Sequence, residues 1–322
     1  MRILSGIQPS GQLHIGNYLG MMKPMIHNME RGELYVFIVN LHALTSMHNK
    51  DRLRQLTLDA AIDFLALGLD PGRCTFWVQA DVPEVTELTW ILSTLTPMGL
   101  LERCHSYKDK IAKGIPPSNG LFSYPILMAA DILLYQADRV PVGKDQKQHL
   151  EVARDISIKF NHTFGETFLV PEAEIDDDVA TVPGLDGRKM SKSYDNTIGI
   201  FLDEKALKQR VMAIVTDSTP VAEPKDPERC NLFNIYRLFA PSDRVQEVHD
   251  LYIHGGAAYG KIKQELAAIL LEYFRLARDK RNRLRKDPQY ILDTLAFGAS
   301  RAREKATATL DLVRERVGLR YW

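Results

Sequence analysis

Short apolar runs alternate with longer stretches of helical periodicity along the first half of the chain. Arg2 to Ile7 reads as a first strand and ends in the turn Gln8-Pro9-Ser10-Gly11; a helix then opens near His14 and runs to about Met29. Leu34 to Val39 is an unbroken apolar, β-branched and aromatic run, the pattern of a strand buried on both faces of a parallel sheet. Asp51 is expected to cap a helix that carries Leu53, Leu56, Ala60, Phe64 and Leu67 at helical spacing and stops at Gly68 and Pro71. Thr75 to Val78 follows as another short strand, and this alternation predicts a doubly wound α/β sheet. Pro83 to about Tyr107 reads as helix interrupted at Pro97, Lys113 to Gly120 as a loop, and Ser123 to Gln136 as a mostly apolar helix. Arg139 to Val142 is extended, and Gly143 leads into a helix from about Asp145 to Asn161. Asp176 to Asp178 falls in a polar loop, and Thr181-Val182-Pro183 is expected to be the last strand.

Beyond Asp203 the pattern is helical throughout, which places a domain boundary near 195–202. From Ala258 to Lys286 one long stripe carries Ile262, Leu266, Ile269, Leu270, Tyr273 and Leu276. Between Ala258 and Trp322 there are 15 Lys and Arg against 8 Asp and Glu. Over the whole chain of 322 residues the formal net charge is zero, so any nucleic-acid contact must come from such a local excess, although solvated helix faces produce the same pattern. Three scattered cysteines, Cys74, Cys104 and Cys230, form no Cys-x-x-Cys pair, so neither a disulfide framework nor a thiolate metal site is indicated and a reducing cytoplasm fits best. No signal-peptide core begins the chain, and no apolar run is long enough to span a bilayer.

Three groups of residues carry candidate chemistry. Lys189-Met190-Ser191-Lys192-Ser193, after Gly187 and Arg188, is either a solvated loop or a mobile cationic clasp for a polyanion. Pro9-Ser10-Gly11 through His14-Ile15-Gly16-Asn17-Tyr18 is a turn feeding a helix start, where free N–H groups favour phosphate; His14 there is either a core histidine or a phosphate-facing one. A Walker-type phosphate loop and a Gly-x-Gly-x-x-Gly fingerprint are both absent. In the helix 123–136, Tyr124, Met128, Asp131, Ile132 and Tyr135 share one face. A carboxylate in such a stripe needs a donor, and either Arg139, a backbone N–H, or a ligand N–H such as that of an indole satisfies it.

These stretches together resemble a known family. The first signature, Pro9-Ser10-Gly11 with His14-Ile15-Gly16-Asn17, and the second, Lys189 to Ser193, are similar to those of class I aminoacyl-tRNA synthetases. Met128 to Tyr135 and Val140 to His149 resemble the bacterial tryptophanyl members, and the likeness extends through Thr216-Asp217-Ser218 to the helical C-terminus. That resemblance implies a Rossmann-like doubly wound parallel sheet in a catalytic domain, 1–200, with a helical insertion at about 83–137, and an all-helical anticodon-binding domain, 201–322. It implies activation of L-tryptophan by ATP, transfer to tRNA(Trp), a homodimer with Thr89 to Leu101 in the contact, a cytoplasmic location, and no membrane or DNA partner.

By the same resemblance, His14, Asn17, Lys189 and Lys192 would be catalytic. Gln8, Pro9, Ser10, Gly16, Gly143, Lys144, Asp145, Val182, Met190, Ser191 and Ser193 would join them around ATP. Mg2+ would arrive with the nucleotide rather than at a dedicated metal site. Asp131 would read the indole N–H, and Gly6, Gln8, His42, Tyr124, Met128, Ile132, Val140, Val142 and Gln146 would line the amino-acid pocket. Leu4, His14 and Lys144 stand where Phe, Thr and an acidic residue are common in the family, and Lys144 reverses a charge near the expected ribose. Three other readings stay open: the tyrosine enzyme of the same subclass, a catalytically inactive RNA-binding paralogue, and a nucleotidyltransferase without an RNA substrate.

Overall fold

A computed structural model describes residues 1–104, 114, 118–143, 146–174 and 182–322. Five parallel strands form one sheet in the order β3-β2-β1-β4-β5: β1 is Arg2–Ile7, β2 Glu33–Ile38, β3 Cys74–Val78, β4 Arg139–Pro141 and β5 Glu172–Glu174. The register pairs Leu4 with Tyr35 and Val36 with Phe76. After Glu33 every residue of β2 is buried, as its continuous apolar run requires of a central strand. This is the Rossmann-like doubly wound sheet expected from the alternating pattern.

The helices are α1 (Ile15–Asn17), α2 (Lys23–His27), α3 (Asn40–Ala43), α4 (Lys50–Leu67), α5 (Glu84–Leu95), α6 (Met98–Glu102), α7 (Asn119–Leu134) and α8 (Lys147–Phe164) in the first part. A π-helical turn, Tyr18–Met22, joins α1 to α2. In the second part they are α9 (Glu204–Met212), α10 (Asn231–Tyr236), α11 (Ser242–His254), α12 (Tyr259–Tyr273), α13 (Arg275–Leu284) and α14 (Pro288–Arg316).

Several expectations need correction. The cap of α4 is Asn49, whose side chain accepts from Arg52 N–H, and Asp51 lies in the first turn instead. Helix α7 begins a turn earlier than expected because the Ser118 hydroxyl accepts from Leu121 N–H. Pro183 is not in the sheet: it forms an isolated bridge with Lys189, and the fifth strand is β5. Residues 213–230, which contain Pro220, Pro224 and Pro227, are non-helical, so the chain after Asp203 is not helical throughout. In the stripe expected from Ala258 to Lys286, Ile262, Leu266 and Leu270 are buried, whereas Tyr273 and Leu276 are exposed. Asp176 to Asp178, Thr181, Lys144 and Asp145 lie outside the described residues.

The chain forms two compact units. The first comprises Met1–Gly11, Met25–Asp177 and Leu284–Trp322, and its core joins the sheet to α5, α7, α8 and α14. Tyr35, Phe37, Trp77 and Tyr135 are packed at its centre, with Phe37 and Trp77 stacked at 5.0 Å. Helix α14 lies along β3: Gly298 sits where a Cβ would overlap the Phe76 carbonyl, and Arg301 donates to the Cys74 carbonyl at 3.3 Å. That contact shields the sheet edge.

Gln12–Pro24 and Asp178–Arg283 make up the second unit. Here Tyr18 seats the first helical turns by packing edge-on against Phe274 at 5.0 Å, with its hydroxyl 3.3 Å from that of Tyr273.

Candidate functional site

In the first unit, the strand order reverses direction between β1 and β4, and an open α/β sheet binds ligands beyond the carboxyl ends of its strands at such a switch point. Gly6 and Gln8 stand at that end of β1, and Val140, Val142 and Gly143 at that end of β4. Gly6 is needed there because a Cβ would crowd the Val39 side chain at 2.9 Å.

Asp131 is 2% exposed on α7. Its partners are neither Arg139 nor a backbone N–H. The Gln79 amide nitrogen donates to both carboxylate oxygens at 2.8 Å, and His42 Nε2 lies 2.8 Å from Oδ2. Burial pushes the Asp131 carboxyl above the ordinary range, while His42 and Gln79 pull it back down. The remaining pocket residues on α7 are Tyr124 and Met128, both half-buried, and Ile132, which is buried. Tyr124 OH lies 2.6 Å from His149 Nε2, and His149 Nδ1 lies 2.9 Å from Gln146 Oε1. With the proton of His149 on Nδ1, His149 donates to the Gln146 carbonyl and Tyr124 donates to Nε2.

Gln79 and His149 are the two functional candidates that the sequence reading missed. Gln79 follows directly on the buried run of β3, and a polar residue at the carboxyl end of such a strand is the signal that could have found it.

The second unit joins the two signature stretches. Ile15 N–H donates to the Ile198 carbonyl at 3.0 Å and Ile200 N–H to the Leu13 carbonyl at 3.1 Å, so the first signature is laced to the segment just after the lysine loop. Gly16 leaves room for the His14 ring, since a Cβ would stand 3.0 Å from its Nδ1. His14 and Asn17 cap each other: Asn17 N–H donates to His14 Nδ1 at 3.2 Å, and His14 N–H donates to Asn17 Oδ1 at 3.2 Å. Burial, then the charge of Lys192, lowers the His14 pKa to about 4. The ring is therefore neutral at physiological pH, and with Nδ1 accepting, its proton sits on Nε2.

The lysine loop is a hydrogen-bonded hairpin rather than a slack segment. Met190 N–H donates to the Val182 carbonyl at 2.9 Å and Gly184 N–H to the Arg188 carbonyl at 2.7 Å. Gly187 turns the chain with φ +82°, a conformation that side chains disfavour. Asn196, buried, accepts from Ser191 N–H at 2.8 Å and donates to Asp186 at 2.7 Å and to the Lys189 carbonyl at 3.2 Å. On this anchor Met190 is buried, Lys189, Lys192 and Ser193 are exposed, and the Ser191 and Ser193 hydroxyls lie 2.8 Å apart. Pairs of exposed ammonium groups on a fixed backbone suit a phosphate chain.

Of the other residues expected at ATP, Gln8, Pro9, Ser10 and Gly143 belong to the first unit, and Gly16 and Val182 to the second. The basic excess after Ala258 is divided as well, with Leu284–Trp322 in the first unit. Much of it there is engaged: Arg303 pairs with Glu84 at 2.7 Å, Arg314 with Glu87 at 2.5 Å and Arg285 with Asp59 at 3.1 Å.

Comparison with known proteins agrees with these features. The family model for class I tRNA synthetases (W and Y) matches residues 1–275. Tryptophan–tRNA ligase of Campylobacter jejuni is 52% identical over 319 residues, 99% of this chain and 100% of that protein. The same-named protein of Fusobacterium nucleatum is 53% identical over 319 residues, covering 99% and 98%. A crystal structure of the Campylobacter jejuni tryptophanyl-tRNA synthetase complexed with ADP and tryptophan superposes with a TM-score of 0.95 over 99% of this chain and 100% of that one. A tyrosyl-tRNA synthetase from Archaeoglobus fulgidus, 19% identical with a TM-score of 0.66 over 87% of this chain and 90% of that one, shares the fold. The chain belongs to the class I tRNA synthetases of the tryptophan and tyrosine group.

Proposed function

We propose that the chain is a tryptophan–tRNA ligase that works in two steps. The carboxylate of L-tryptophan attacks the α-phosphate of ATP, supplied as its magnesium complex; the bond to the leaving pyrophosphate breaks and tryptophanyl-adenylate forms. The 3′-terminal adenosine of tRNA(Trp) then attacks the activated carbonyl through a hydroxyl, and AMP leaves. No covalent enzyme intermediate is needed, so the protein contributes positioning and charge stabilisation. The observation that carries this reading is the lacing of Leu13–Ile15 to Ile198–Ile200, which gathers His14, Asn17, Lys189 and Lys192 in one unit.

In this reading the neutral His14 ring donates from Nε2 to a phosphate oxygen, Lys189 and Lys192 neutralise charge on the leaving pyrophosphate, and Gly16 admits the nucleotide close to the backbone. Gln8, Pro9, Ser10, Asn17, Gly143, Val182, Met190, Ser191 and Ser193 complete the ATP contacts, along with Lys144 and Asp145. Asp131 accepts from the indole N–H, between walls supplied by Gly6, Gln8, His42, Tyr124, Met128, Ile132, Val140 and Val142. Gln146 completes the lining of the amino-acid pocket.

Helices after residue 201 would read the tRNA anticodon. A homodimer contact through Thr89 to Leu101 is supported by Trp90, 73% exposed, and Met98, 62% exposed, since large apolar side chains in one exposed segment mark an interface. No described helix is long and apolar enough to cross a membrane, in keeping with a cytoplasmic enzyme of translation.

Amino-acid-dependent exchange of pyrophosphate into ATP, with each standard amino acid in turn, tests this. Exchange with tryptophan alone is expected. Exchange with tyrosine would keep the chemistry and overturn the pocket, and no exchange at all would point to an inactive paralogue.

A further inference from the structure

Gln79 is 1% exposed and directly follows β3, at the carboxyl end of that strand. Its carbonyl oxygen accepts from Leu41 N–H at 3.0 Å and from His42 N–H at 3.4 Å, at the start of α3. That end of the amide is thereby fixed as the acceptor, so the nitrogen must be the end that faces Asp131, 2.8 Å from each carboxylate oxygen. His42, carried on the same α3, meets Oδ2 at 2.8 Å. The circuit closes on itself: α3 backbone to Gln79, Gln79 to Asp131, Asp131 to the α3 side chain.

We propose that Gln79 is a positioning residue for amino-acid selection: it locks the Asp131 carboxylate so that Oδ1 offers one fixed lone pair to a substrate N–H. This role of Gln79 rests on the proposed function, in which Asp131 accepts from an indole N–H. Three donor contacts converge on the carboxylate, two of them on Oδ2, so Oδ1 is the less engaged oxygen. A carboxylate free to rotate could adapt to a ligand lacking an N–H; one clamped from both sides cannot. Any substrate without a donor at that point leaves a second lone pair of the buried Oδ1 unsatisfied, and that penalty is what produces discrimination. Gln79 touches no reacting atom in this scheme and acts through Asp131.

The test compares tryptophan with benzothienylalanine, in which sulfur replaces the indole nitrogen and no N–H remains. Pyrophosphate exchange gives kcat/KM for each on the unmodified full chain, on Gln79→Met and on Gln79→Glu. The methionine removes both the donor and the acceptor. The glutamate keeps the acceptor for α3 and replaces the donor with a second carboxylate. The unmodified chain is expected to prefer tryptophan by about a thousandfold, and either variant to shrink that preference to about tenfold or less, chiefly through a raised KM for tryptophan. Both substrates are measured on the same folded fraction, so partial unfolding of a variant cancels in the ratio. Loss of activity in equal proportion for both substrates, with the preference kept, would overturn the role of Gln79. Absence of tryptophan-dependent exchange in the unmodified chain would instead overturn the proposed function on which it rests.

Discussion

The proposed amino-acid pocket around Asp131 and the lysine loop solve opposite problems with similar parts. In the pocket a carboxylate is buried, clamped by an amide and an imidazole, and walled by apolar side chains. In the loop the anchor, Asn196, is buried, while the working groups, Lys189 and Lys192, stand in solvent. The difference follows from what each must bind. A neutral N–H is told apart from a C–H only where water cannot substitute for the partner, so its acceptor must be desolvated and fixed. A polyphosphate carries enough charge to be held by exposed ammonium groups, which must also let go of the leaving pyrophosphate. On the proposed function, specificity is built into the rigid region and catalysis into the accessible one.

Breaking the rigid side is expected to have the largest effect. Asp131→Ala removes the acceptor and leaves Gln79 and His42 without their shared partner; tryptophan kcat/KM in pyrophosphate exchange should fall by about 10^3 or more, mainly in KM. An unchanged KM would mean that the carboxylate serves packing alone. Lys192→Ala, on the accessible side, should slow activation by about 10^2-fold with little change in the KM for tryptophan, because an ammonium acting on developing phosphate charge is worth roughly 3 kcal/mol in the transition state. A large rise in the tryptophan KM would erase the distinction between the two regions.

Asn196→Ala sharpens the comparison, since it removes the anchor but keeps both lysines. Ser191 N–H would lose its buried acceptor, at a cost of about 1–3 kcal/mol, and the activation rate should drop by about tenfold while the KM for tryptophan stays put. The comparison is refined further by His14. Its folded pKa of about 4 lies below the ordinary imidazole value of 6.5, so between those values the unfolded chain binds the extra proton and stability falls as pH drops. Above pH 6.5 that dependence fades, as the unfolded imidazole also loses its proton. An NMR titration should show the His14 ring neutral, protonated on Nε2, with no step between pH 5.5 and 8; a midpoint near 6.5 would place the ring in solvent. The smallest effect belongs to scaffold outside both regions: Asn49→Ala at the α4 cap should lower unfolding free energy by about 1 kcal/mol in a denaturant melt and leave exchange kinetics unaltered.

Much of the sheet was legible because a parallel strand buried on both faces writes itself as an apolar run, as Leu34 to Val39 and Thr75 to Val78 do. What escaped was short or polar. Glu172–Glu174 is a three-residue edge strand that pairs with β4, with no apolar run to betray it. The cap of α4 was misplaced by two residues because Asn49 and Asp51 are both good caps, and only the hydrogen bond to Arg52 N–H decides between them. Both signatures were readable as motifs, but not the backbone lacing that joins them, since a bridge between His14 and Gly199 leaves no pattern in either stretch. Asp131 stood out as a carboxylate in an apolar helix. Its partners did not, because Gln79 and His42 reach it across long sequence separation through tertiary contacts alone.

The most direct test of this account is pyrophosphate exchange on Asp131→Asn and Lys192→Ala side by side, with tryptophan varied at saturating ATP. Expected is a clean split: the asparagine variant raises KM for tryptophan with a smaller change in kcat, and the alanine variant lowers kcat with KM nearly unchanged. If both substitutions moved KM and kcat together by similar factors, recognition and catalysis would not be divided between the buried carboxylate and the exposed lysine, and the account would be wrong at its centre.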